Sequence, residues 1–319
     1  MPGSTRITIA SVALVACVGA ATMASPQQPA FRGTSDTVRL FATVTDRDGR
    51  LVPTLTRDQF EVRDEGRPQP ITVFDNSPQP IRLVVMLDVS GSMAGNLPLL
   101  RAATEQLFAR LRPDDLVRVG SFGQTVTISP TFTGDLHTLR TALPDAIAPD
   151  APTPLWRALD EAMQSFGDDS DARRVVLVLS DGKDSGPTSF RQRFVSQGEV
   201  IDRARARDVM VYAIGMRSRG RRPMQPGIGA GALQQMLIDD LPDPGLARVA
   251  EDTGGGYTEI RAGQDLGAEF ARVADELHRQ YLIGFAPPTR DGKTHDIEVR
   301  VDERGLKARA RRSYVAPKG

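Results

Sequence analysis

The sequence predicts an α/β fold: a doubly wound, mostly parallel sheet flanked by helices and inserted between N- and C-terminal β segments that form a small β domain. Three observations predict it. Residues 83–87 form a continuous apolar run, typical of a strand buried on both faces. Strand-like and helix-like segments alternate over residues 82–281, as a parallel sheet requires. Residues 38–45 and 295–301 instead alternate with a period of two, which indicates half-buried antiparallel strands.

Residues 1–24 have the composition of a signal peptide. Arg6 gives a positive start, residues 7–21 are nearly all apolar or small, and Ala24 supplies a small residue at the cleavage site. The apolar run is short for a membrane span, so we expect no transmembrane span in the mature chain; a retained N-terminal anchor is the alternative. Residues 25–36 have the composition of a linker. The predicted location is periplasmic or secreted.

Cys17 is the only cysteine and lies inside the predicted signal peptide. The mature chain is therefore expected to have no disulfide, although it enters an oxidising compartment. The residues that precede Cys17, Leu-Val-Ala, also resemble a lipoprotein cleavage box, so the alternative is a chain anchored by a lipid on Cys17. Against lipidation, residues 18–24 stay apolar where a lipoprotein usually turns polar.

Length and charge limit the possible functions. A chain of 319 residues can hold one large domain or two modest ones. Lys and Arg total 40, as do Asp and Glu, so the formal net charge is zero. No global field draws the protein to nucleic acid or to an anionic membrane, and we expect no nucleic-acid partner.

The β segments at the two ends are each too small to fold alone. In the N-terminal segment, residues 37–78, strands are predicted at 38–45, 60–63 and 71–74. In the C-terminal segment, residues 282–319, strands are predicted at 295–301 and 306–311. Because neither can bury much apolar surface, we expect them to pair with each other in one sheet or sandwich.

The α/β domain is predicted over residues 79–281. Asn96 can cap a helix in which Leu100, Ala103, Leu107 and Leu111 recur at helical spacing. The further predicted elements are strands at 116–122, 125–129, 175–179, 209–214 and 257–260, and helices at 155–166, 196–207 and 246–250. A closing helix is predicted from Leu266, Phe270, Val273, Ala274, Leu277 and Tyr281.

A long loop is predicted over residues 217–240. It holds Arg217, Arg219, Arg221 and Arg222 with several prolines and glycines. Residues 227–232 echo the dinucleotide-binding pattern G-x-G-x-x-A, but no strand leads into them, so we do not predict a nucleotide site. The arginine-rich loop follows a predicted strand, which would bring it to the carboxyl edge of the sheet.

A group of oxygen-bearing side chains follows the first buried strand. Asp88, Ser90 and Ser92 come directly after residues 83–87 and supply a carboxylate and two hydroxyls. In an open α/β sheet this carboxyl end is where ligands bind. Serine and aspartate at this position are also common as turn formers and helix caps, and that reading stays open on these three residues alone.

The D-x-S-x-S sequence resembles the metal-ion-dependent adhesion site of von Willebrand factor type A (VWA) domains. Two more positions fit that family: Thr153 in T-P-L-W-R-A-L and Asp181 in V-V-L-V-L-S-D-G. The resemblance implies that Asp88, Ser90, Ser92, Thr153 and Asp181 form the metal site. The motifs around residues 55–62, 281–285 and 291–297 and the closing R-R-S-Y resemble a bacterial family of exported VWFA-related proteins.

The resemblance also implies the chemistry. The hydroxyls would bind Mg²⁺, with Mn²⁺ or Ca²⁺ as alternatives, and one or both aspartates would act through water. An Asp or Glu of a partner protein would complete the coordination, so the predicted function is a metal-dependent adhesion or scaffold module. A structural envelope protein and a metal-dependent hydrolase are the alternatives. We expect no enzyme, because the P-loop, H-E-x-x-H and G-x-S-x-G motifs are missing and His137, His278 and His295 lie in different elements.

Overall fold

The described part of the computed structural model contains three β-sheets. The structure describes residues 37–167, 173–187, 192–217, 242–261 and 264–319. The predicted signal peptide, the linker and nearly all of the arginine-rich loop lie outside these ranges. In chain order the strands are β1 (Val38–Thr45), β2 (Phe60–Asp64), β3 (Arg67–Gln69), β4 (Ile71–Asp75), β5 (Ile81–Asp88), β6 (Leu116–Phe122), β7 (Val126–Ile128), β8 (Arg173–Ser180), β9 (Val209–Met216), β10 (Tyr257–Ile260), β11 (Tyr281–Phe285), β12 (Thr294–Val301), β13 (Lys307–Arg309) and β14 (Ser313–Val315).

Six α-helices accompany the strands in the described part of the chain. They are α1 (Leu97–Phe108), α2 (Leu136–Thr141), α3 (Leu155–Gln164), α4 (Gln197–Arg207), α5 (Pro244–Thr253) and α6 (Leu266–Leu277). A capping box opens α4: the Ser196 hydroxyl accepts from the Glu199 N–H at 3.2 Å, and the Glu199 carboxylate accepts from the Ser196 N–H at 2.9 Å. None of the described helices is long and apolar enough to cross a membrane.

The central sheet has six strands in the order β10-β9-β8-β5-β6-β7. Every neighbouring pair is parallel except β6 and the short edge strand β7. Alternate residues of β5 enter opposite cores: Leu83, Val85 and Leu87 pack with α1 and α6, whereas Val84 and Met86 pack with α3, α4 and α5. Burial on both faces explains the continuous apolar run, and the predicted fold class is confirmed.

The two ends of the chain interleave in a pair of four-stranded sheets. One has the order β13-β1-β11-β4 and the other β14-β12-β2-β3. Strand β1 pairs antiparallel with β11, and β2 pairs antiparallel with β12. Residues of both sheets share one apolar core, which includes Leu40, Val62, Ile283 and Val299. We call this pair of sheets the sandwich.

Tyr281 lies on a strand, and its assignment to the closing helix is wrong. Helix α6 ends at Leu277, and Tyr281 is the first residue of β11. Its hydroxyl donates to the Val52 carbonyl oxygen at 2.6 Å, and its ring centroid lies 4.8 Å from that of Phe60. Tyr281 is fully buried in the sandwich, so its hydrophobicity serves a different core from the one that α6 covers.

Several element boundaries also differ from the prediction. The last alternating segment forms a strand only over β13, and α2, β3, β11 and β14 were not predicted. Asn96 does precede α1, but residues 91–96 form a 3-10 turn and the Asn96 side chain makes no capping hydrogen bond. The hydrophobic pattern thus located the elements of seven residues or more, whereas the missed elements have only three to six residues, too few to show a period.

Candidate metal centre

The sheet brings Asp88 and Asp181 to the same edge. Asp88 is the last residue of β5 and Asp181 directly follows β8, and these strands are parallel neighbours. Ser90 and Ser92 lie at the start of the 3-10 turn that connects β5 to α1. Thr153 precedes α3 by two residues. The carboxyl edge therefore collects all five residues that the sequence singled out.

A chain of hydrogen bonds links four of these residues. The Ser90 N–H donates to Asp88 Oδ1 at 2.8 Å. The Ser92 hydroxyl donates to Asp181 Oδ1 at 2.7 Å, and the two serine oxygens lie 3.1 Å apart. Because the Ser92 hydroxyl already donates its hydrogen to Asp181, the Ser90 hydroxyl is the donor in the hydrogen bond between the two serines. Both hydroxyl oxygens therefore keep lone pairs for another ligand.

Thr153 joins the group through close backbone packing. A β-carbon added at Gly182 would lie only 3.0 Å from Thr153 Oγ1. Glycine at this position therefore leaves room for the Thr153 side chain next to Asp181. The Thr153 carbonyl oxygen accepts from the Ser185 N–H at 2.9 Å. The Gly91 N–H donates to the Ala151 carbonyl oxygen at 3.0 Å and ties this segment to the serine turn.

Ser180 is a further residue of the centre that the sequence analysis missed. Its hydroxyl donates to Asp88 Oδ2 at 2.5 Å, so both oxygens of Asp88 accept hydrogen bonds. It is fully buried at the end of β8. The sequence did contain one indication of this role: Ser180 is a polar residue at the end of an apolar strand, directly before Asp181.

The two carboxylates are held in an environment that disfavours their charge. Burial raises the pKa of Asp88 to about 6, and the nearby charge of Asp181 adds to the rise, against the hydrogen bonds from Ser180 and Ser90. Burial also raises the pKa of Asp181, against the hydrogen bond from Ser92. Ionising both groups is therefore costly without a cation beside them.

One oxygen of the centre has no hydrogen-bond partner among the described residues. Asp181 Oδ2 is buried and accepts no hydrogen bond from the described residues. The surrounding donor set consists only of oxygens, with two carboxylates and the hydroxyls of Ser90, Ser92 and Thr153. Hard divalent cations prefer such oxygens, and a cation would satisfy the unpartnered carboxylate oxygen. The residues therefore fit a Mg²⁺-type ion.

Residues next to the metal centre have structural roles. Asp184 accepts from the Trp156 N–H at 3.2 Å and the Gly186 N–H at 2.9 Å, so it holds the start of α3. Trp156 is buried in the core with α3, α4 and α5. Arg217 directly follows β9 at the same edge as Asp181 and forms an ion pair with Glu259, whereas residues 218–241 lie outside the described ranges.

A second group of possible metal ligands lies in the sandwich. Ligand atoms of Asp64, Glu65 and His295 lie within 4.8 Å of one another. The His295 ring nitrogens already contact Asp64 at 3.1 Å and Asp291 at 3.2 Å, and Tyr314 donates to the other Asp64 oxygen at 2.9 Å. Burial works against a charged His295, but the hydrogen bonds to Asp64 and Asp291 outweigh it and raise its pKa. We call His295, Asp64 and Asp291 the His295 cluster and assign it to structure.

Comparisons with known proteins found one family model and several solved structures that are similar to parts of this chain. Residues 83–183 match the family model described as von Willebrand factor type A domain. No curated protein matches the chain. Several solved structures align with this chain at low identity and with TM-scores below 0.5. The protein BatB from Bacteroides thetaiotaomicron is 16% identical with a TM-score of 0.43, and the match covers 62% of this chain and 98% of that one. A von Willebrand factor type A protein from Catenulispora acidiphila is 13% identical with a TM-score of 0.48, covering 89% and 75%. Proximal thread matrix protein 1 from the mussel byssus, described with a zinc-occupied MIDAS motif, is 16% identical with a TM-score of 0.42, covering 66% and 48%.

Proposed function

We propose that this chain, whose central part is a VWA domain, is an exported protein-binding module that depends on a divalent metal ion. Asp88, Ser90, Ser92, Thr153 and Asp181 would hold the ion, which is Mg²⁺ in this proposal, with Mn²⁺ and Ca²⁺ as alternatives. The observation that carries the proposal is the buried, unpartnered Oδ2 of Asp181 beside hydroxyl oxygens with free lone pairs. A bound ion supplies a Lewis-acidic position that accepts a carboxylate oxygen.

The low negative charge of the centre supports the binding of a partner's carboxylate. Asp88 is fully buried and is held by hydrogen bonds from Ser90 and Ser180. Its carboxylate would therefore contribute negative charge to the site without being exposed at the surface. The three hydroxyls are neutral, which keeps the anionic ligand count low. An Asp or Glu side chain of a partner protein would then complete the coordination. The identity of that partner is left open.

The arrangement of the domains favours this role. Both connections between the α/β domain and the sandwich are at the amino edge of the central sheet, where Ile81 and Leu282 line one cavity. The metal centre is at the opposite, carboxyl edge. The sandwich therefore leaves the proposed binding surface uncovered. The proposed export is based on the signal-peptide composition of residues 1–24. We also propose that the chain has no enzymatic activity.

The first experiment tests the metal. Calorimetric titration of the full chain with Mn²⁺ and Mg²⁺ should show binding, and Asp181→Asn should weaken it by about tenfold or more, as loss of a metal-supporting carboxylate typically does. Asp184→Asn is the matched control, because it makes the same change at the same edge in a residue that accepts only backbone hydrogen bonds. Equal titrations of the parent and of Asp181→Asn would reduce the centre to a capped turn.

The second experiment separates the three functions. A glutamate-containing peptide and its glutamine counterpart are added to the Mg²⁺-loaded protein and to protein in EDTA. A binding module retains the glutamate peptide only with the metal. Metal binding without peptide binding would favour the structural envelope protein. Turnover of phosphate or peptide esters that is lost in Asp181→Asn would favour the hydrolase.

A further inference from the structure

A cavity of about 50 Å³ lies between the α/β domain and the sandwich. Its walls include Arg173 and Arg174 at the start of β8, the end of α4, and Arg39, Arg311 and Ser313 from the sandwich. A larger cavity of about 310 Å³ adjoins it, since Arg39, Phe41 and Arg173 line both. Strand β8 begins here and ends at the metal centre, so the two places are about 25 Å apart along its eight residues.

The cavity wall carries an excess of positive charge. The arginines that line it are Arg39, Arg173, Arg174, Arg205, Arg207 and Arg311. The acidic residues that line it are Asp208 and Asp252. Asp208 forms an ion pair with Arg311 at 2.6 Å, and Asp252 lies within 4 Å of arginines outside the cavity. Arg205 also pairs with Asp202 at 2.8 Å, so part of the positive charge is balanced within the protein, but the wall itself holds six arginines against two acidic residues.

Arg173 is the most unusual member of this wall. It is only 6% exposed, and its guanidinium lies 4.4 Å from the centroid of the Phe41 ring. Its Nη1 donates to the Leu277 carbonyl oxygen at 2.6 Å, but Nε and Nη2 are buried and have no hydrogen-bond partner in the described part of the chain. Burial lowers its pKa to about 10, which leaves it charged at neutral pH. A buried cation with unused donors is costly unless an anion satisfies it.

We propose that this cavity binds a phosphate or sulfate group. Guanidinium groups recognise such tetrahedral oxyanions through paired, charge-assisted hydrogen bonds. A cavity that holds a single water molecule has a volume of about 10–15 Å³. A cavity of about 50 Å³ therefore has room for the few heavy atoms of one oxyanion. The adjoining larger cavity, with Phe41 and Leu282 in its wall, could take an organic group attached to that oxyanion.

The sandwich creates this site. Ligands of open α/β sheets bind at the carboxyl edge, whereas this cavity is at the amino edge. Phe41 and Arg39 come from β1, and Arg205 is fixed in the wall by a hydrogen bond from its Nε to the Ser313 hydroxyl at 2.6 Å. An α/β domain without the sandwich would lack these walls. The proposal is independent of the metal centre and of the function proposed for it.

The test is calorimetric titration of the full chain with inorganic phosphate and with sulfate at constant ionic strength in EDTA. We expect saturable binding of either ion. Arg205→Gln should weaken it by about tenfold, which corresponds to one charge-assisted hydrogen bond. Arg173→Met should abolish it. The control is Arg300→Gln, an exposed arginine that pairs with Glu298 at 2.8 Å and is no part of the cavity; it should bind as the parent does.

A second arm identifies the source of the phosphate. The parent and Arg205→Gln are sedimented with phosphatidylglycerol vesicles and with phosphatidylcholine vesicles. Sedimentation with phosphatidylglycerol that Arg205→Gln loses assigns the site to a lipid headgroup, and calorimetric binding without sedimentation assigns it to a soluble ligand. Absence of both in the parent, or equal affinities in the parent and Arg205→Gln, would overturn the proposal. If Arg173→Met does not fold, Arg205→Gln alone decides.

Discussion

Asp88→Asn should make the protein more stable in the absence of metal while it removes metal binding. Asp88 is fully buried, and its pKa of about 6 compares with an ordinary value of 3.8. Each pKa unit corresponds to about 1.4 kcal/mol, so keeping Asp88 ionised in the folded protein costs about 3 kcal/mol at pH 7. Asparagine carries no such charge. It can still accept from the Ser90 N–H and donate to the Ser180 hydroxyl, so neither hydrogen bond need be lost.

The pH dependence follows from the direction of the shift. Because the folded-state pKa is raised, the folded protein holds the Asp88 proton more tightly than the unfolded chain does. The stability of the parent therefore falls as pH rises from about 4 to about 6, and the cost is fully present above that range. The advantage of Asp88→Asn should be about 3 kcal/mol at pH 7 and should nearly vanish at pH 4.

Urea unfolding in EDTA at pH 4 and pH 7, with Mn²⁺ calorimetry on the same samples, measures both effects. Asp160→Asn provides the contrast, because Asp160 is also buried but is paired with Arg203 and accepts from Gln164 at 2.7 Å. That variant should lose stability, since it leaves a cation without its partner. A less stable Asp88→Asn at pH 7, or an unaltered affinity for Mn²⁺, would refute the reasoning.

Other predictions concern the turn, the sandwich and the loop. Gly91→Ala places a carbon 1.9 Å from the Pro149 carbonyl oxygen, so the turn must move; we expect about 1–3 kcal/mol lower stability and weaker Mn²⁺ binding, measured by urea unfolding and calorimetry. His295→Gln should cost most stability below pH 6.5, because the raised pKa makes protonated His295 stabilising at low pH and this contribution is lost as pH rises through that pKa; an equal loss at pH 5.5 and 8.5 in urea unfolding would contradict this. Replacing the four arginines of residues 217–222 with serine should slow association of an acidic peptide and flatten its salt dependence, with metal affinity unchanged, as stopped-flow measurements can show.

The sequence was informative wherever one pattern had one physical cause. A strand buried on both faces must be apolar throughout, and the polar residue that ends it must lie at the edge of the sheet, which located Asp88 and Asp181. Tyr281 was misassigned because it continues the spacing of α6, and neither glycine nor proline marks the end of that helix at Leu277. Periodicity shows that a residue is buried but not in which core.

The positively charged cavity could not be foreseen at all. Arg173 stands at the start of a strand, where an arginine is usually exposed, and its burial depends on Phe41 and Leu277, each more than 100 positions away. The same holds for His295 and Asp64, which meet only because β12 pairs with β2. Contacts of this kind are set by tertiary pairing, and local patterns carry no signal for them.

The interleaving of the chain ends in the sandwich also constrains the order of folding. Val38 pairs with Phe285, so β1 has no partner strand until nearly the whole chain has been synthesised. Closing so long a loop in an unfolded chain is entropically slow, but a folded α/β domain already holds Ile81 and Leu282 at one cavity. We therefore expect the α/β domain to form first and to bring β1 and β11 close to each other, so that this distant pairing becomes a local one. Until then β1 lacks its partner β11, and β2 has only its neighbour β3 and lacks β12, so during this interval a newly made chain is most exposed to aggregation.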